Sequence, residues 1–145
     1  MLKLTAALVA AAFAVPAVAG AQTPADSAAV RQAVLDYIEG LYEVKPDRVE
    51  RSVHPTLVKR TVGRFQNSDR EFLQPMTTEV LLNVARTFNA NGHVAKDAPK
   101  DVKILDMLDK TATVKLTAES WVDYMHIAKQ NGKWVIVNIL WQSTK

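Results

Sequence analysis

The dipeptide Asn131-Gly132 restricts the possible folds of this chain more than any other feature. Both central residues of a two-residue type I′ turn need positive φ, which asparagine and glycine accept most readily. The flanking segments, Trp121–Lys129 and Lys133–Gln142, are rich in β-branched and aromatic residues, so the pair reads as the tip of an antiparallel hairpin. With a two-residue turn, opposed residues have numbers summing to 263 and share a face. One face is then expected to hold Trp121, Asp123, Met125 and Ile127 with Trp134, Ile136, Asn138 and Leu140. The other holds Val122, Tyr124, His126 and Ala128 with Val135, Val137, Ile139 and Trp141. Neither resembles the polar side of a sheet with one face in water. Helices of the same chain can cover one face. A homodimer partner is expected on the other, with Tyr124, Val137 and Trp141 in the interface.

Upstream the hydrophobic period changes. Val30, Val34, Tyr37, Ile38 and Leu41 fall at helical spacing and predict an amphipathic helix over about 28–44, capped by Asp26 or Ser27. Lys45-Pro46-Asp47 restarts the chain as a short second helix through Val49 and Val53, which Pro55 stops at His54. Leu57, Val58 and Val62 mark a short strand, Gly63–Arg70 a loop, and Glu71–Met76 a return strand. Thr77 or Thr78 caps a third helix that carries Val80, Leu81, Val84, Ala85 and Phe88. A polar loop over Asn89–Lys100 leads into strands at Val102–Leu108 and Thr111–Glu119, ahead of the hairpin. Helices first and an antiparallel sheet afterwards give an α+β fold.

The N-terminus belongs to a different class of segment. Lys3 precedes an uncharged apolar run from Leu4 to Val18, which ends in Ala19-Gly20-Ala21 before polar Gln22. That order is the one a secretory signal uses. The run of about 15 residues, broken by Pro16, is too short for a span of roughly 20. The expected organisation is a signal peptide over 1–21, a short polar leader over 22–27, and one domain over 28–145. The mature protein is expected in the periplasm or outside the cell, with no membrane association once the signal is removed. The chain has no cysteine, so its stability must come from the core without disulfides. Its 18 Lys and Arg are interspersed with 15 Asp and Glu, and no basic stripe with stacking aromatics suggests nucleic acid.

Chemistry-bearing residues are few. On the first hairpin face Asp123 and Asn138 sit among Trp121, Met125 and Trp134, an arrangement that suits a mostly apolar ligand pocket with two polar groups. Asp123 can equally be a paired structural group, with Arg60 or the Trp134 indole as partner. Asp123 and His126 are the candidate general bases. His54, with Lys59 and Arg60, can bring an imidazole or a cation to a pocket rim, or all three can face water at a helix end and strand edge. His54, His93 and His126 lie on separate elements without ligand spacing, so no metal site is expected, and no cofactor motif is present.

Two stretches, VRQAVLDYIEGLYEVKPDRVERSVHPTLVKR (Val30–Arg60) and WVDYMHIAKQNGKWVIVNILW (Trp121–Trp141), resemble the putative lumazine-binding branch of the NTF2-like superfamily. The resemblance implies a cone in which N-terminal helices pack on a strongly curved antiparallel sheet, with a pocket at the open end. It also implies dimerisation through the far side of the sheet. A steroid-isomerase chemistry would need a base aspartate, a tyrosine and a second acid; Asp36 and Tyr37 lie on the first helix and do not supply that trio. Three functions follow as expectations. The first is binding of a small, largely apolar ligand in the cone. The second is an isomerase- or dehydratase-like enzyme with Asp123 or His126 as base. The third is a dimeric interaction module with a filled cavity.

Overall fold

The computed structural model describes residues 23–145; the expected signal peptide over 1–21 lies outside the described residues. The elements run α1 (Pro24–Tyr42), α2 (Pro46–Ser52), β1 (Val53–Arg64), β2 (Glu71–Thr77), α3 (Thr78–Ala85), β3 (Lys100–Met107), β4 (Thr111–Ala118), β5 (Trp121–Gln130) and β6 (Lys133–Ser143). The strands form one open six-stranded sheet in the order β2-β1-β6-β5-β4-β3. Every neighbouring pair is antiparallel except β1 with β6, which is parallel, so the sheet is mixed. The parallel pair arises because the crossover from β1 to β6 passes through the rest of the domain and returns in the same direction.

Helix α1 begins earlier than its apolar stripe indicates. Thr23, not Asp26 or Ser27, is the cap, accepting a bond from the Asp26 N–H. The stripe is buried as its spacing requires, with Val30, Val34, Tyr37, Ile38 and Leu41 inside. Gly40 lets α2 approach closely: a Cβ there would lie 2.6 Å from Val49 Cγ2. The helix then ends in a Schellman turn, with Lys45 N–H on Gly40 O and Val44 at φ 56° where glycine is usual.

Both ends of α1 are tied to the rest of the domain by charge. Asp26 accepts from Lys129 Nζ at 2.6 Å and from the Trp134 indole at 2.9 Å. Asp36 and Glu39 accept from Arg48 and Arg51 of α2, and Glu39 also pairs with Lys100 at the start of β3.

The hairpin tip is a two-residue turn, with Asn131 at φ 50° and Gly132 at φ 80°. The expected register holds from Gln130↔Lys133 to Ile127↔Ile136 and then slips by one residue. Beyond the slip Asp123 faces Trp141, Met125 faces Ile139, and His126 faces Asn138. Val137 is the extra residue of a β-bulge, and a one-residue bulge turns every later side chain of that strand to the other face. Asn138 and Leu140 therefore leave the helix-covered face, and Ile139 and Trp141 replace them.

Strand β1 is also longer than expected. It alternates from Leu57, with Leu57 and Lys59 buried and Val58 and Arg60 on the far side. The expectation that Lys59 faces water is corrected: it is 6% exposed.

Candidate functional site

Among the described residues, one ion pair on the concave face of the sheet has both partners buried. Lys59 reaches inward from β1, Asp123 and Trp121 from β5, Tyr37 from α1 and Trp141 from β6. Lys59 Nζ donates to Asp123 Oδ1 at 2.9 Å and to the Tyr37 hydroxyl at 2.7 Å. The Trp121 indole N–H donates to the other carboxylate oxygen at 2.8 Å. Asp123 is fully buried with both oxygens engaged, the condition under which a buried carboxylate is tolerated. Three aromatic rings surround the ammonium, with centroids 5.0 Å (Trp141), 5.4 Å (Tyr37) and 5.9 Å (Trp121) from Nζ.

Burial pushes the Lys59 ammonium below the ordinary lysine range, against the pull of Asp123. Burial first, and the Asp123 carboxylate second, push the Tyr37 phenol well above its ordinary value, so it stays protonated.

Beside this network lies a cavity of about 120 Å³, lined by Tyr37, Leu41, Lys59, Met76, Leu81, Val84, Phe88, Trp121 and Trp141. Its walls come from α1, α3 and the turn after it, β1, β2, β5 and β6, and they are almost entirely carbon. For scale, an engineered apolar cavity of about 150 Å³ binds benzene. Four larger depressions, of about 270 to 720 Å³, lie elsewhere on the domain. In the largest Glu39 is paired with Lys100 and Glu43 with Lys45.

The structure brings some of the expected residues together and separates others. Trp121 and Asp123 are in the network. Met125 shares their face but is fully buried in the core below it. Trp134 is at the opposite end of the concave face, bonded to Asp26. Asn138 does not accompany Asp123: the bulge places it on the convex face, where it accepts from Arg60 Nη1 at 2.9 Å and lies 3.4 Å from His126 Nδ1. Arg60 and His126 are thus convex-face residues, and Asp123 and His126 cannot act on one substrate. His54 is turned toward Thr56, 2.8 Å from its hydroxyl. Trp141 is removed from the convex interface by the same bulge and stands beside Lys59, while Tyr124 remains exposed there, opposed to Leu140. Val137 lines a convex depression with Val135, Ala128 and His54.

The sequence reading put Lys59 at a pocket rim or in water and did not identify it as the partner of Asp123. Its signal was the two-residue alternation with Leu57 together with an aspartate that needed a cation on the same face. Of a steroid-isomerase trio the site holds a tyrosine and a carboxylate. A lysine joins them, and among the described residues no acid side chain lines the cavity itself. Among the described residues no group of three or more His, Asp or Glu side chains is placed to hold a metal.

The family described as putative lumazine-binding matches residues 25–142. Three solved structures share the fold. An NTF2-like protein of unknown function from Shewanella baltica OS155 superimposes with a TM-score of 0.68 at 16% identity, covering 86% of this chain and 99% of that one. One from Silicibacter pomeroyi DSS-3 gives 0.64 at 13%, covering 84% and 99%. A ketosteroid isomerase-like protein from Erwinia carotovora atroseptica gives 0.59 at 13%, covering 85% and 99%. No curated protein matches.

The buried pair makes a sharp prediction. Asp123→Asn leaves Lys59 buried without a counter-charge and is expected to destabilise the fold by ~3–5 kcal/mol. Replacing both partners, Lys59→Met with Asp123→Leu, is expected to restore much of that loss, since apolar groups of similar size need no partner. Denaturant midpoints of the two variants check this; equal losses would show that the charges are not coupled.

Proposed function

The chain belongs to the putative lumazine-binding family of NTF2-like domains, and from that premise we propose that it binds a small, single-ring apolar molecule in its concave cavity. The observation that carries this reading is the cavity itself, about 120 Å³ with Tyr37, Phe88, Trp121 and Trp141 around it. Pockets for larger ligands run to roughly 300–1,000 Å³. The polar atoms nearest the cavity already bond one another, so an apolar ring loses nothing on entry. Lumazine has two fused rings and several carbonyl and N–H groups, and these walls would leave them unpaired at about 1–3 kcal/mol each. Asp123 lies behind the cavity wall with both oxygens engaged by Lys59 and Trp121, and an apolar ring makes no demand on it.

Thermal unfolding with toluene, benzyl alcohol and lumazine separates the possibilities. A one-ring ligand at 100 times its dissociation constant is expected to add about 2.7 kcal/mol, with no shift from lumazine. A shift from lumazine alone would overturn the size argument, and none from any of the three would favour a filled interaction module.

The convex face supports a homodimer as part of the same proposal. Val62, Leu73, Tyr124 and Leu140 are exposed there, 58%, 61%, 49% and 47% respectively, around the Arg60–Asn138–His126 cluster. Leu140→Glu alters a side chain that is half-exposed in the protomer, so it is expected to preserve the fold and convert dimer to monomer in light scattering. A wild-type chain that is already monomeric at tens of micromolar would remove the dimer from the proposal.

Export completes the reading. It rests on the charge and hydropathy order of residues 1–21. N-terminal sequencing of the exported protein is expected to begin at Gln22, or at Gly20 if cleavage follows Ala17-Val18-Ala19. An exported form that retains Met1 would contradict it.

A further inference from the structure

We propose that Lys59 condenses with a small aromatic aldehyde in the cavity and holds it as a protonated imine. The proposal rests on the cavity-binding reading and names the ligand class that would be retained covalently. Among the described residues Lys59 is the only amine that lines the cavity. A carboxylate oxygen lies 2.9 Å from its nitrogen and a phenol oxygen 2.7 Å away, so a proton acceptor and a second polar group stand at the point of attack. The surrounding rings suit an aromatic substituent, and the cavity is of single-ring size.

The step balances without any further reagent. The ammonium passes one proton to Asp123 Oδ1, and the freed nitrogen lone pair attacks the carbonyl carbon. A C–N bond forms while the carbonyl π pair moves to oxygen. A second nitrogen-bound proton transfers to that oxygen, giving a carbinolamine. Asp123 then returns its proton to the hydroxyl, the C–O bond breaks, and water leaves as the nitrogen lone pair forms the C=N bond. One aldehyde and one ammonium give one protonated imine and one water. The positive charge stays on the nitrogen, so Asp123 keeps a counter-cation in the product and the cost of an unpaired buried carboxylate is avoided. The lowered basicity of Lys59 acts in the same direction, because less free energy is needed to reach the neutral amine.

The test uses the mature chain with benzaldehyde and cyanoborohydride, which reduces a protonated imine to a stable benzylamine. Peptide mass mapping locates the added group. Lys59 is expected to label about tenfold faster than exposed lysines such as Lys96, through the proximity of a bound aldehyde. Benzyl alcohol, of the same shape but unable to form an imine, is expected to raise the melting temperature and to slow labelling at Lys59 alone. Lys59→Met, which keeps a side chain of similar length, is expected to remove the fast label. Stabilisation by benzyl alcohol with labelling confined to surface lysines would overturn the imine and leave cavity binding standing. If benzyl alcohol fails to stabilise and Lys59 is unlabelled, both readings fall.

Discussion

The Lys59–Asp123 ion pair is the interaction on which the rest of the structure depends. Among the described residues these two are, with Ser52, the buried polar or charged side chains, and they join positions 64 residues apart with α1 bridging through Tyr37. A buried pair adds little net stability compared with apolar residues of similar size, but breaking it is costly. That asymmetry makes it a register device. Sliding β5 by one residue would turn Asp123 to the convex face and leave Lys59 buried alone. An apolar pair would tolerate such a slip better, since both faces of this hairpin are rich in apolar residues. The charges therefore supply a specificity that the hydrophobic pattern lacks.

The same ambiguity explains how far the sequence could be read. The hairpin tip, the helix-to-strand order and the return strand after the Phe65–Arg70 loop were legible because turn chemistry and period encode them locally. The bulge at Val137 was not. Val135-Ile136-Val137 is uniformly β-branched, so no polar residue marks where the alternation breaks. Counting outward from Asn131-Gly132 is sound for four pairs and then places Asn138 and Trp141 on each other's faces. The parallel pairing of β1 with β6 was equally hidden, because it joins segments about 80 residues apart with no local signal. Lys59 lay within reach: a strand that starts its alternation at Leu57 must point residue 59 inward. The apolar residues at 58 and 62 drew attention to the opposite phase.

Helix α1 links this specificity to the cavity. At one end Asp26 is held at a pKa of about 2, first by its bonds to Lys129 and Trp134. Near the other end Asp36 is held at about 2, chiefly by Arg51, and Glu39 is lowered chiefly by Lys100. A carboxylate with a depressed folded-state pKa contributes stability above its unfolded value near 4, and this is lost as pH falls toward 2. The clamps thus operate throughout the neutral range and loosen together in acid. What they fix is the rotation of α1 about its axis. Tyr37 lies next to the second clamp, between Asp36 and Glu39, and its hydroxyl stays 2.7 Å from Lys59 so that the buried network remains satisfied.

A satisfied network determines what the cavity can offer a ligand. With both Asp123 oxygens and the Tyr37 oxygen engaged, no group there is free to accept a proton at rest. Proton transfer can begin only within the pair itself, from Lys59 to Asp123. That transfer removes both charges at once, so it avoids leaving one ion buried alone and comes within chemical reach in an apolar site. Chemistry at this site, if a ligand draws it out, therefore starts at nitrogen. A carboxylate acting as base would first have to break its bonds to Lys59 or Trp121, and the Trp121 ring is also a wall of the cavity. A shared fold does not by itself set the chemistry of a site. What sets the arrangement here is a lysine at position 59, where the inward phase of β1 meets the aspartate of β5.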